Sequence, residues 1–159
     1  MSTYPLSSLD LVSAKLSRAA RPLDFAVVLT VDGVDLAGLC RGAESARRAF
    51  PTSGSVVQGR DWVWQDADPA LCTQVEASDL SGRQAALEAF VDAVLDPHSS
   101  PPVRVLWVRC SAGDRLAVRF HHCAFDGISA GLWLLQMLLV ATGGLPELTE
   151  VQDWAPPAL

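Results

Sequence analysis

Residues 128–140, ISAGLWLLQMLLV, constrain the fold more than any other stretch of the chain. Their only polar side chains are Ser129 and Gln136, seven residues apart and so on one stripe of a helix. A helix that is apolar around nearly its whole circumference must be covered on several sides. The apolar run from Leu132 to Ala141 is too short to cross a bilayer, which takes about 20 residues, so the cover must be protein. Either this helix sits centrally in its own domain, or a surface outside the chain covers part of it.

The chain can build a core of its own. It has 159 residues, of which 50% are hydrophobic, enough for one domain and too apolar for intrinsic disorder. The formal charge of -6 and a single lysine, Lys15, exclude a surface that tracks nucleic-acid phosphates. Small molecules and proteins are therefore the expected partners. Cys40, Cys72, Cys110 and Cys123 show no CxxC spacing and read as small buried hydrophobes in a reducing compartment. The N-terminal MSTYPLSSLD lacks the basic and apolar regions of a signal peptide, so a soluble cytoplasmic location is expected. The strong preference for arginine over lysine, with abundant alanine, points to a GC-rich bacterial source.

Hydrophobic periodicity divides the chain into alternating elements. Ser7 and Ser8 can cap a short helix through Leu9, Val12 and Leu16, which Arg21-Pro22 breaks. Residues 25–31 read as a strand ended by Asp32-Gly33. Asp35 then caps a helix with Leu36, Leu39, Ala43 and Phe50 on its apolar face and Arg41, Glu44 and Arg48 on its wet side. Residues 55–64 and 71–77 are expected strands. Leu87, Phe90, Val91, Val94 and Leu95 define a second helix by their spacing. Residues 103–110, apolar on both parities, read as a strand covered on both faces. Gly113-Asp114 turns it into a hairpin with residues 116–120, and the final helix ends at Gly143-Gly144. The order implies an α+β sandwich with a mixed sheet and helices packed on it. Residues 1–145 form the domain, and the Pro-rich residues 146–159 are an exit segment.

The strand at residues 116–120 runs into His121, His122, Cys123, Ala124, Phe125, Asp126 and Gly127. Side chains alternate along a strand, so Leu116, Val118, Phe120 and His122 share one side, and Ala117, Arg119 and His121 the other. The larger apolar residues mark the first side as the core, which, where strand geometry continues through the histidines, predicts His122 inward and His121 outward or sideways. Asp126 stands at an N-cap position, and Gly127 permits close approach of another group. Imidazole has an ordinary pKa near 6.5 and suits general-base work near neutrality. A carboxylate buried there would need a cation, and no nearby arginine is an obvious partner. Blander roles also fit: His121 as a packed ring, His122 as a satisfied core histidine, Asp126 as an ordinary cap, Cys123 as core. A metal site is disfavoured because adjacent histidines on a strand point apart. A hydrolase built on Cys123 and His122 suffers from the same geometry. His98 lies in a Pro/Ser loop without a signal, and the tryptophans read as core or interface.

The pattern H-H-x-x-x-D-G over residues 121–127 resembles the active-site motif of the chloramphenicol-acetyltransferase-like superfamily. The doubled histidine is most similar to condensation domains of nonribosomal peptide synthetases, polyketide-associated acyltransferases and wax ester synthases. Residues 101–110 and 116–120, Ile128-Ser129, and residues 6–10 resemble the same family, so the likeness covers nearly the whole chain. It implies acyl transfer from a thioester, on acyl-CoA or on the phosphopantetheine of an acyl carrier protein, to an alcohol or amine. It implies His122 as general base, His121 as loop support, Asp126 as a structural residue salt-bridged to arginine, and Gly127 as room for substrate. No bound cofactor, metal or covalent intermediate is expected. Members of the family are pseudo-dimers with the site between two similar halves, and this chain corresponds to the N-terminal half. The expected partner is a second such half: a separate chain, the remainder of a longer precursor, or another copy. The alternative is a non-catalytic scaffold that docks a carrier protein or subunit.

Overall fold

Two sheets organise the residues described by the computed structural model, 3–6 and 23–148. The strands are β1 (Thr3–Pro5), β2 (Asp24–Thr30), β3 (Ser55–Gln58), β4 (Asp61–Trp64), β5 (Cys72–Ala77), β6 (Val103–Cys110) and β7 (Arg115–His121). The helices are α1 (Leu36–Ala49), α2 (Leu80–Asp92) and α3 (Gly127–Ala141), with a 3-10 turn at Pro51–Gly54. The main sheet has the order β2-β7-β6-β5, antiparallel except for the parallel pair β5 and β6, and the small sheet has the order β1-β4-β3. This is the expected α+β fold with a mixed sheet. The helix expected through Leu9, Val12 and Leu16, Trp154, and the exit segment past residue 148 lie outside the described residues.

Helices cover both faces of the main sheet. Leu39, Ala43 and Ala46 of α1 and Ala130, Trp133 and Met137 of α3 pack on Val103, Val105, Leu116, Val118 and Phe120. Leu87 and Phe90 of α2 pack on Leu106, Val108 and Ala117 across the sheet. Residues 103–110 are thus covered on both sides, as their composition predicts. Asp35 caps α1 as expected, accepting from the Gly38 N–H at 2.6 Å, and Asp79, which the sequence reading did not single out, caps α2 by accepting from the Gly82 N–H at 2.8 Å. Glu44 and Arg48, on the wet side of α1, form an i,i+4 ion pair at 3.0 Å.

Three readings shift. Residues 55–64 are not one strand but the hairpin of β3 and β4, turned at Gly59, whose φ of 65° is in the left-handed region. This hairpin leaves the main sheet and pairs with β1 instead. The second helix stops at Asp92, so Val94 projects into solvent at 90% exposure while Leu95 turns inward. Arg47 of α1 is fully buried: its guanidinium lies 4.7 Å from the centre of the Trp64 ring and bonds Glu44 and the Gln65 carbonyl. It ties the main-sheet helix to the small sheet, a long-range role that helical periodicity cannot show.

α1 and α3 meet at a seam without side chains. A Cβ on Gly42 would stand 2.2 Å from the Met137 carbonyl oxygen, and one on Gly38 2.9 Å from that of Ala141. The two glycines let the helix backbones touch, which places Trp133 and Met137 at the centre of the core.

Candidate functional site

β7 lies between β2 and β6, and it delivers both histidines to the end of the sheet. Their burial is the reverse of the expectation: His121 is fully buried and His122 is exposed. The alternation of faces is sound, since Leu116, Val118 and Phe120 do share the α1–α3 core. The error lies in taking the opposite face as wet. α2 covers that face, and Arg119 on it is buried against Asp24 and the Phe90 carbonyl. His122, one residue past the last rung, keeps to the α1–α3 side with its ring against Phe25, and stands exposed where the sheet ends.

His121 serves the loop. Its Nδ1 accepts the Cys123 backbone N–H at 3.0 Å, and its carbonyl accepts the N–H groups of Ala124 and Phe125 at 3.1 and 3.2 Å. Burial holds the ring down to a pKa of about 4, against the pull of Asp24, so it is neutral at physiological pH. The turn it shapes sends Cys123 into a small core with Val57 and Trp62, and Phe125 against the Phe120 ring at 4.8 Å. Cys123 is therefore a packing residue that joins the two sheets, as its simplest reading has it. Trp62, Trp64, Trp107 and Trp133 are likewise buried.

His122 is held from three directions. Its backbone N–H donates to the Leu23 carbonyl at 2.7 Å, its ring packs 4.7 Å from that of Phe25, and Nδ1 lies 3.1 Å from the Phe125 carbonyl oxygen. A carbonyl oxygen only accepts, so this contact places the proton on Nδ1 and leaves Nε2 as the ring's acceptor. The ring is thus oriented and tautomerically defined while remaining exposed.

Asp126 and Ser129 form a reciprocal capping box at the start of α3. Asp126 accepts from the Ser129 N–H at 2.8 Å and hydroxyl at 2.7 Å, and its own N–H donates to the Ser129 oxygen at 2.9 Å. These bonds lower the Asp126 pKa, which keeps the carboxylate ionised. Because Asp126 is exposed, the expected need for a cation to neutralise a buried charge does not arise among the described residues. The buried carboxylate–arginine pair of the region is Asp24–Arg119, between residues 95 apart in sequence. Its signal in the sequence is an arginine inside an otherwise apolar strand.

Gly127 has no neighbour within 4 Å of where a Cβ would stand, and neither has Gly131. They lie beside Ile128, Leu132 and Leu135, which are 76%, 52% and 52% exposed. The apolar circumference of α3 is thus covered on one side by the fold and open on the other. A cleft of about 290 Å³ lies between Phe50, Pro51 and Thr52 beyond α1 and Ala124, Phe125 and Ser129 of the motif loop. Among the described residues, no three His, Cys, Asp or Glu side chains converge to hold a metal ion. No described helix is long and apolar enough to cross a membrane.

No model of a known protein family matches the chain. Two uncharacterized proteins of Mycobacterium tuberculosis, from the strains CDC 1551 / Oshkosh and H37Rv, are each 38% identical over 88 residues. The match takes in 55% of this chain and 20% of either protein, so the chain spans about a fifth of the curated relatives it matches. Among solved structures, the condensation domain of the Monacolin K polyketide synthase MokA has a TM-score of 0.72 at 16% identity, over 91% of this chain and 35% of its own. The epimerization domain from the third module of tyrocidine synthetase B has a TM-score of 0.74 at 15% identity, over 94% and 39%. The X-domain from teicoplanin biosynthesis has 0.76 at 22% identity, over 98% and 35%. The described residues therefore carry the chloramphenicol-acetyltransferase-like fold of condensation-type domains, over a little more than a third of such a domain's length.

Proposed function

We propose that this chain is the N-terminal half of a condensation-type acyltransferase, with His122 as its general base. The observation that carries the reading is the state of His122: exposed, oriented by Phe25, and bonded through Nδ1 to the Phe125 carbonyl. Nε2 would take the proton of an acceptor hydroxyl or amine as that group attacks a thioester carbonyl. The tetrahedral intermediate then collapses, the carbon–sulfur bond breaks, and the protonated imidazole returns its proton to the departing thiolate. The acyl donor is acyl-CoA or a carrier-bound phosphopantetheine thioester. His121 supports the turn, and Asp126 fixes the start of α3. Gly127 leaves space at its mouth.

The open side of α3 supports a second half as the missing wall of the site. Ile128, Leu132 and Leu135 stand exposed on α3, the helix that follows the motif loop, and the solved neighbours extend well beyond the length this chain matches. That half would be a separate chain, the remainder of a precursor, or another copy, and the chain would be inactive without it.

The test begins with the native assembly, weighed by light scattering and intact mass spectrometry, and then assayed for thioester consumption. His122→Ala in that assembly should lower the rate about 10²–10⁴-fold without changing its composition. Full activity in the variant would end the general-base assignment. A second reading is a docking scaffold, favoured by the likeness to the teicoplanin X-domain, which has been solved in complex with OxyB. It predicts a stable complex with no thioester turnover and no effect of His122→Ala.

A further inference from the structure

One helix is too narrow to cover a four-stranded sheet. Strands stand about 4.8 Å apart, and a helix with its side chains is about 10–12 Å across. α2 packs over β5 and β6, so the edge strand β2 is left open on that face. Val28 of β2 pairs with Ala117, which lies in the cluster with Leu87 and Phe90 of α2, yet Val28 itself is exposed. The gap is a cleft of about 420 Å³, lined by Arg83, Leu87, Glu88 and Val91 of α2, Val28 of β2 and Arg115 of β7.

Two arginines meet in this cleft. Arg83 donates through Nη1 to the carbonyls of Ala112 and Gly113 at 3.2 and 2.8 Å, and Arg115 through Nη1 to that of Asp114 at 2.9 Å. The two Nη1 atoms lie 4.0 and 3.7 Å from the point where a Cβ on Gly113 would stand. The β6–β7 turn thus grips each guanidinium by one nitrogen. Among the described residues, no acceptor meets Nε or Nη2 of either. Arg47, Arg48, Arg104, Arg109 and Arg119 each have a carboxylate within 4.0 Å, whereas Arg83 and Arg115 have none among the described residues. Two cations fixed on one turn repel each other, and an oxyanion on their free N–H edges would relieve that repulsion.

We propose that this cleft is a binding site for a small amphipathic monocarboxylate. The carboxylate sits on the Nε–Nη2 edges of Arg83 and Arg115, and an alkyl or similarly apolar body lies along Leu87, Val91 and Val28. Leu87 and Val91 follow Arg83 by one and two turns of α2, about 6 and 12 Å along its axis, which sets the length of the body. Glu88 and Asp92 also line the cleft, so a second carboxylate at the far end would be repelled. Arg115 opens β7 and His122 follows its end, which puts this cleft and the motif loop at opposite ends of one strand. The site is therefore independent of the acyl-transfer reading.

The experiment titrates the full chain with hexanoate and octanoate at pH 7, reading backbone amides and arginine Nε–H resonances by NMR. Saturable shifts are expected at Arg83, Arg115, Val28 and Val91, with octanoate binding about 3–10-fold more tightly than hexanoate. Octanol, which lacks the charge, and suberate, a dicarboxylate of the same length, should each bind about 10-fold more weakly than octanoate or worse. Arg83→Gln combined with Arg115→Gln should weaken octanoate by about 10-fold or more. Those changes also loosen the turn, so Val28→Asp is the second variant: it keeps both arginines and should weaken octanoate as much without altering the rest of the spectrum. Octanol binding as tightly as octanoate, or octanoate affinity unchanged in the variants, would overturn the assignment. So would shifts confined to the exposed face of α3, which would mark octanoate as a mere probe of that apolar surface.

Discussion

Gly38 and Gly42 on α1, and Gly127 and Gly131 on α3, have the same spacing and opposite surroundings. The first pair lies against the carbonyls of Ala141 and Met137, where a Cβ has no room. The second pair faces open space beside exposed Ile128, Leu132 and Leu135. The same division runs along the whole motif segment. His121, Cys123, Phe125, Ala130, Trp133 and Met137 face inward, and His122, Asp126, Gly127, Gly131 and Leu132 face out. One side is accounted for by this chain's own packing. The other keeps features that packing within the described residues does not require.

Mutation and pH can sharpen that division. The largest effect should come from Trp133, fully buried and bonded through Nε1 to Ser53 at 3.0 Å. Trp133→Ala should cost about 3–5 kcal/mol in denaturant unfolding. His121 comes next, through pH. Its folded-state pKa is held at about 4, below the value near 6.5 of an unfolded histidine. Between those values the unfolded chain binds a proton that the folded ring refuses. Stability is therefore full above about pH 6.5 and falls toward pH 4, by roughly 3 kcal/mol in total. His121→Gln should flatten the upper part of that pH dependence, and an unchanged slope between pH 5 and 6.5 would show that another group causes it.

The glycine pairs then give opposite signs. Gly42→Ala should destabilise by about 1–3 kcal/mol, because its Cβ meets a backbone carbonyl that cannot step aside. Gly131→Ala should stabilise the isolated chain by about 0.5–1 kcal/mol, the ordinary helix preference for alanine over glycine. Equal responses at the two sites would break the comparison. The smallest effect belongs to Leu132→Ser, within about 0.5 kcal/mol in unfolding of the isolated chain. If a second half covers α3, the same substitution should weaken its binding, measured by titration calorimetry.

Much of this was legible in the residues themselves. Apolar spacing located α1, α2 and α3, and the caps Asp35 and Asp126 marked the starts of two of them. The alternation along β7 placed its side chains on the correct faces. What failed was the step from face to burial. Period-two alternation says which residues share a side, but not whether a helix formed elsewhere in the chain will cover the other side. His121 is buried within the strand pairing with Asp24 and the turn it shapes, and His122 is exposed because the sheet ends. Asp24 with Arg119, and Arg47 with Trp64, are equally invisible to local pattern, since each partner is chosen by the tertiary fold. The break in residues 55–64 did carry a local sign, Gly59, that strand-like composition on either side outweighed.

The register of β2 on β7 has a consequence of a different kind. Asp24 pairs with His121 and Thr30 with Arg115, and the His122 N–H is tethered to the Leu23 carbonyl. The motif loop thus takes its shape from a strand made much earlier in synthesis, with nearly the whole of the domain between them. Closing so long a loop costs entropy before any contact repays it, and such non-local pairing slows folding. The hairpin of β6 and β7 pairs residues close in sequence, but it cannot hold His122 in place until β2 arrives. His122 would be among the last groups to find its geometry, so this end of the sheet takes shape only when the strands beneath it are complete.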